Sequence, residues 1–156
     1  MIIISGGQTG VDRAALDAAI ELGIPHRGWC PKGRRAEDGI LPSCYNLTEC
    51  VDPGYKLRTE LNVADSYATL LITATPELTP GTALTMQYIT AQNKPYLWVL
   101  PDAPLQQVVD FIVQCRANPS NLDFFELNVA GSRESKAPGI YAVTKSLLLP
   151  VFARFS

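Results

Sequence analysis

The stretch Ile2-Ile3-Ile4-Ser5-Gly6-Gly7-Gln8-Thr9-Gly10-Val11-Asp12-Arg13-Ala14-Ala15 decides the fold class. Three consecutive isoleucines read as a strand buried on both faces, the mark of a parallel sheet. A glycine-rich turn follows. From there Val11, Ala14, Ala15, Ala18, Ala19 and Leu22 recur at helical spacing, one apolar face of a helix. The pattern repeats downstream. Ala68 to Thr73, Tyr96 to Leu100 and Phe124 to Val129 are runs of strand length, and Ile24 to Trp29 adds a short one. Helices are predicted over Leu57 to Ser66, around Leu105, Val108, Val109 and Ile112, and around Ile140, Val143, Leu147 and Val151. Gly81 to Asn93 is apolar on more than one side, which predicts a well-buried helix. Strands alternating with helices give the fold class: α/β, Rossmann-like, a mainly parallel sheet flanked by helices on both faces, spanning residues 1–156 as one domain. The segment from Pro31 to Tyr55, rich in Pro, Gly and charge, is one long excursion, and such loops are usually functional or partly disordered.

Composition excludes several classes. A net charge of −2 and a pI near 5.3 give no basic field to attract nucleic acid. No apolar run reaches the roughly 20 residues that span a bilayer, so no membrane partner is expected. The N-terminus lacks the basic lead and apolar core of a secretory signal, and the expectation is a cytoplasmic protein. Cys30, Cys44, Cys50 and Cys115 lack Cys-x-x-Cys spacing, which favours reduced thiols and offers no metal site. With His26 as the single histidine and no nucleophile elbow beside it, a Ser–His–Asp system has no support. No catalytic residue is assigned. Charged residues are only 18% of the chain, which fits surface buried in a homo-oligomer.

In an open α/β sheet ligands bind beyond the carboxyl ends of the strands, where four segments should meet. Ser5-Gly6-Gly7-Gln8-Thr9-Gly10 has the glycines and the helix start of a phosphate cradle, although it is neither Gly-x-Gly-x-x-Gly nor a Walker loop. A plain turn with Thr9 as N-cap and Asp12 closing a capping box is the simpler reading. Lys32-Gly33-Arg34-Arg35 sets three cations in four residues, suited to phosphate or merely solvated. Thr79-Pro80-Gly81-Thr82 starts a second helix aimed at the same crevice. Ala130-Gly131-Ser132-Arg133-Glu134-Ser135-Lys136 brings two hydroxyls and two cations to a strand's end, with Arg133 free to pair with Glu134 instead. Arg58, Asn62 and Asp65 share one helix face, turned either to the crevice or to solvent.

Several of these stretches together resemble the molybdenum-carrier family. They are Ile4 to Asp17, Gly28 to Gly39, Arg58 to Ser66, Gly81 to Thr85 and Asn128 to Gly139. The resemblance covers nearly the whole chain. It implies a Rossmann-like fold, a homo-oligomer (dimer or tetramer), and non-catalytic binding, protection and delivery of the molybdenum cofactor, a phosphate-bearing molybdopterin. It implies as partners proteins of cofactor synthesis or molybdoenzymes. The cofactor-binding positions it implies are Gly6, Gly7, Gln8, Thr9, Gly10, Lys32, Arg34, Gly81, Thr82, Ser132, Arg133, Ser135 and Lys136. A broader likeness runs to the lysine-decarboxylase-like nucleoside-monophosphate phosphoribohydrolases, whose third loop resembles Pro-Gly-Gly-x-Gly-Thr-x-x-Glu. Here Gly81-Thr82 remain, but Thr85 stands where the glutamate would be. That loss counts against hydrolysis and leaves an N-glycosidase or a nucleotide-sensing module as alternatives.

Overall fold

The computed structural model describes residues 1–117 and 124–156. Its elements in chain order are β1 (Ile2–Ile4), α1 (Val11–Glu21), β2 (His26–Arg27), β3 (Trp29–Cys30), β4 (Arg35–Ala36), β5 (Gly39–Ile40), β6 (Thr48–Glu49), α2 (Tyr55–Ala64), β7 (Ala68–Ile72), α3 (Pro80–Ala91), β8 (Tyr96–Val99), α4 (Leu105–Ala117), β9 (Glu126–Gly131) and α5 (Ile140–Phe152). Five strands form one sheet in the order β2-β1-β9-β7-β8, and every pairing in it is parallel. Side chains alternate across it. Ile3, Leu70, Ile72, Leu127 and Val129 join the main apolar core with α1, α4 and α5, while α2 and α3 pack together on the other side. The predicted Rossmann-like α/β fold is the one observed.

The strand order contains a hidden regularity. If β9 is read first, followed by β1, β2, β7 and β8, the spatial order becomes 3-2-1-4-5, that of dinucleotide-binding sheets. The point where connections leave in opposite directions then falls between β9 and β7. Ligands of such sheets bind outside the strand ends at that place. Lys94 steadies the second layer, because its ammonium donates to the carbonyls of Val63, Ala64 and Ser66 at the end of α2.

Three expectations need correction. The helix over residues 81–93 is not well buried: α3 buries only Thr82, Thr85 and Ile89. Its small and apolar residues lie on several sides, so composition could not say which side meets the sheet. The run Phe124 to Val129 is shifted, for the strand spans Glu126–Gly131 and Phe124 is 64% exposed. Ile24 to Trp29 is broken at Gly28 into β2 and β3, which belong to different sheets.

The excursion after Cys30 has a core of its own. Leu16, Cys30, Leu41, Tyr45 and Leu47 form a second buried cluster. Arg34, at φ 53°, closes it from above. Its guanidinium donates to four backbone carbonyls: Leu41 (3.3 Å), Leu47 (3.1 Å), Pro42 (2.9 Å) and Tyr45 (2.9 Å). Asp17 of α1 ties the cluster down, accepting from the phenols of Tyr45 (2.7 Å) and Tyr141 (2.6 Å). Burial, reinforced by the Asp17 carboxylate, pushes both phenols above their usual pKa.

Candidate functional site

A cavity of about 510 Å³ opens at the carboxyl end of β9, within the size range of small-molecule sites. The turn after β1, the start of α3, one face of α2 and the segment after β9 line it. Arg58 crosses directly over Gly6: a Cβ there would lie 1.6 Å from its Nη1, so a larger residue would displace the guanidinium. That guanidinium donates to Asp12 Oδ2 at 2.8 Å, and the two side chains are only 11% and 6% exposed. Breaking such a buried pair costs about 3–5 kcal/mol. Tyr55 is flanked by two guanidinium groups, Arg58 at 5.4 Å and Arg133 at 5.3 Å from the ring centre.

Helix starts contribute less to an anion site than the sequence suggests, because the chain's own groups take up donors there. At α3, Thr79 and Thr82 form a reciprocal capping box. At α5, the Glu134 carboxylate accepts from the N–H groups of Gly139 (2.5 Å) and Tyr141 (2.9 Å). So Glu134 caps a helix, and Arg133 pairs with Glu37 at 3.7 Å. At α1 the N-cap is Gly10 rather than Thr9. Gly10 sits at φ 83°, and a Cβ there would be 2.3 Å from the Ser132 carbonyl oxygen. The glycines beyond those a turn needs thus admit neighbouring chain: Arg58 over Gly6, the 132–134 segment over Gly10.

Unsatisfied donors remain in the side chains. Gln8, 5% exposed, accepts on Oε1 from the N–H groups of Thr9 (3.0 Å) and Glu37 (2.9 Å), which leaves its buried Nε2 without a partner. Nε of Arg58 is likewise buried and unpartnered. Both residues line the cavity. Buried unpaired donors are costly and call for an acceptor.

Of the thirteen positions implied by the resemblance, Gly6, Gln8, Gly81, Thr82, Ser132, Arg133 and Lys136 line the cavity. The others lie outside that lining and contact neighbouring structure. Gly7 accepts from Arg13 on its carbonyl, Thr9 donates to Glu37, and Gly10 accommodates the segment after β9. Ser135 also binds Glu37, Lys32 is exposed beside Asp52, and Arg34 holds the excursion together. Arg58 and Asn62 face the cavity, whereas Asp65 pairs with Arg27 and the Trp29 indole. Tyr55 and Asn128 were not foreseen. Asn128 carried a readable signal, an amide between two core residues of a buried strand. Tyr55 carried none.

A solved structure, that of a "Putative molybdenum carrier protein" from Syntrophus aciditrophicus SB, is similar to this chain at 43% identity. The match covers 97% of this chain and 93% of that one, with a TM-score of 0.84. No curated protein matches. Residues 3–152 match the family described as the circularly permutated YpsA SLOG family. A strand order that becomes 3-2-1-4-5 once β9 is read first is what a permutation of that kind produces. The chain belongs to the circularly permutated YpsA SLOG family.

Proposed function

We propose that the chain binds the molybdenum cofactor in the crevice between β9 and β7 and holds it chemically unchanged until another protein accepts it. The observation that carries this reading is the charge inventory of the cavity. Its lining includes Arg58, Arg133 and Lys136 against a single acid, Asp12, which is already bonded to Arg58. Surplus positive charge suits an anionic ligand, and no carboxylate is left to work as a general acid or base. Hydroxyls and amides of Gln8, Thr59, Thr85 and Asn128 fit the hydrogen-bonding edges of a pterin. Among the described residues no group of three or more His, Cys, Asp or Glu could hold a metal ion. Molybdenum would therefore be carried by the cofactor's own dithiolene. The name of the 43%-identical protein, a molybdenum carrier, agrees with this reading.

The glycosidase alternative needs a carboxylate from Asp12, Glu60 or Asp65. Asp12 is locked to Arg58, Glu60 is exposed and outside the cavity, and Asp65 is held by Arg27 and Trp29. The test is a titration with molybdopterin and with AMP, followed by tryptophan fluorescence and by molybdenum retained through gel filtration. Saturable cofactor binding with no base released from AMP is the expected result. Turnover of AMP without cofactor binding would sink the carrier reading.

A further inference from the structure

The hairpin β4–β5 presents two acids at its tip, and both are anchored. The Glu37 carboxylate accepts from the Ser135 N–H (3.1 Å), the Ser135 hydroxyl (2.6 Å) and the Thr9 hydroxyl, and it lies 3.7 Å from Arg133. Thr9 is itself fixed, because its hydroxyl accepts from the Glu134 N–H at 3.2 Å. The Asp38 carboxylate is forked by Arg13 at 3.0 and 3.1 Å. Two hydroxyls, a backbone N–H and a guanidinium converging on one carboxylate are also the donors a phosphate would use. They come from the two segments that border the crevice, and Arg133 belongs to both places. Burial alone would raise the pKa of Glu37, but the bonds from Ser135 and Thr9 outweigh it and keep the group ionised.

We propose that Thr9, Ser135 and Arg133 form an oxyanion subsite for a phosphomonoester, with Glu37 as its built-in competitor. Arrival of the phosphate displaces Glu37 and lifts the hairpin from the glycine turn. The inference rests on the reading that the crevice takes a phosphate-bearing ligand. A phosphate offers three oxygens where Glu37 offers two, and it can also reach toward Lys136, an exposed cation on the crevice lining. Re-closure of Glu37 opposes the ligand at each departure and arrival, so the residue sets how readily the site lets go. That property suits a protein that must both hold and hand over.

Inorganic phosphate is the probe. It is titrated calorimetrically into the wild type, Glu37→Gln, Glu37→Gln with Ser135→Ala, and Glu60→Gln, which removes an exposed charge outside the crevice. Thermal melts confirm that each variant folds. Glu37→Gln should bind phosphate about tenfold more tightly, the scale of one charge-assisted hydrogen bond. Adding Ser135→Ala should erase the gain, and Glu60→Gln should leave affinity unchanged. In the wild type, saturating phosphate should lower hydrogen-exchange protection across residues 35–40. Equal affinity of Glu37→Gln and wild type, or the same gain from Glu60→Gln, overturns the inference. Loss of cofactor binding with the Glu37 effect intact would instead remove the carrier reading and leave the subsite standing.

Discussion

The segments 31–50 and 131–139 both follow a strand and both concentrate arginine, lysine and glycine, yet they employ their arginines differently. In the first, Arg34 spends its guanidinium on four carbonyls of its own loop and caps a small apolar cluster. In the second, Arg133 leans on Tyr55 at the edge of the crevice and reaches Glu37 from 3.7 Å. What separates them is what lies nearby to accept a hydrogen bond. A long loop that must bury leucines leaves carbonyls without partners, and a forked cation is the side chain best shaped to gather them. A short loop between a strand and a helix has few such carbonyls, so its cation turns to side chains instead, Glu37 and Tyr55. A cluster of charge in sequence therefore indicates a site only when the loop has no internal need for it.

Substitution sharpens the contrast. Arg34→Ala leaves partly buried carbonyls unpaired and should cost about 3 kcal/mol, lowering Tm by about 6–12 °C in a calorimetric melt. Lysine should not rescue it, since one ammonium cannot reproduce the fork. Cofactor affinity of the folded fraction should stay within about twofold. A large loss of affinity at unchanged Tm would break the comparison. Arg133→Ala should do the reverse, weakening cofactor binding about tenfold or more while stability changes by less than about 1 kcal/mol.

The smallest effect concerns acid. Arg13 hydrogen bonds hold the Asp38 carboxyl below its ordinary value, and Glu37 is lowered once its bonds have outweighed burial. Depressed carboxylates stabilise above their unfolded pKa values, 3.8 for Asp and 4.5 for Glu, and this contribution fades as pH falls through the lower folded values. Protection factors of the β4–β5 hairpin amides, corrected for the intrinsic pH dependence of exchange, should thus be constant from pH 8 to 6 and fall in acid. Loss of protection already between pH 8 and 6 would show that these carboxylates do not hold the hairpin.

Sheet and helices were legible wherever burial leaves a continuous mark. Ile2–Ile4 and Ala68–Ile72 are central strands with almost no polar interruption. The burial of helix α3 is not legible in this way, because periodicity locates an apolar side only when a polar one opposes it. The crevice itself was legible from topology, since strand ends converge by rule. Its chemistry was less so. The bonds that occupy Thr9, Ser135 and Arg34 run to Glu37 or to backbone carbonyls, and no spacing in the sequence announces them. The Asp12–Arg58 pair joins residues 46 positions apart and passes over Gly6.

The position of β9 has a consequence for how the molecule is made. Of the five strands of the sheet it is the last in sequence, yet it is the middle one in space, lying between β1 and β7. Until it emerges, β2-β1 and β7-β8 are separate pairs, each with an open edge formed by one of the most apolar strands in the chain. Bare edges of this kind invite pairing with other chains. A polypeptide with this strand order cannot build its native sheet from one edge to the other in order of synthesis; its two halves meet only once β9 is in place.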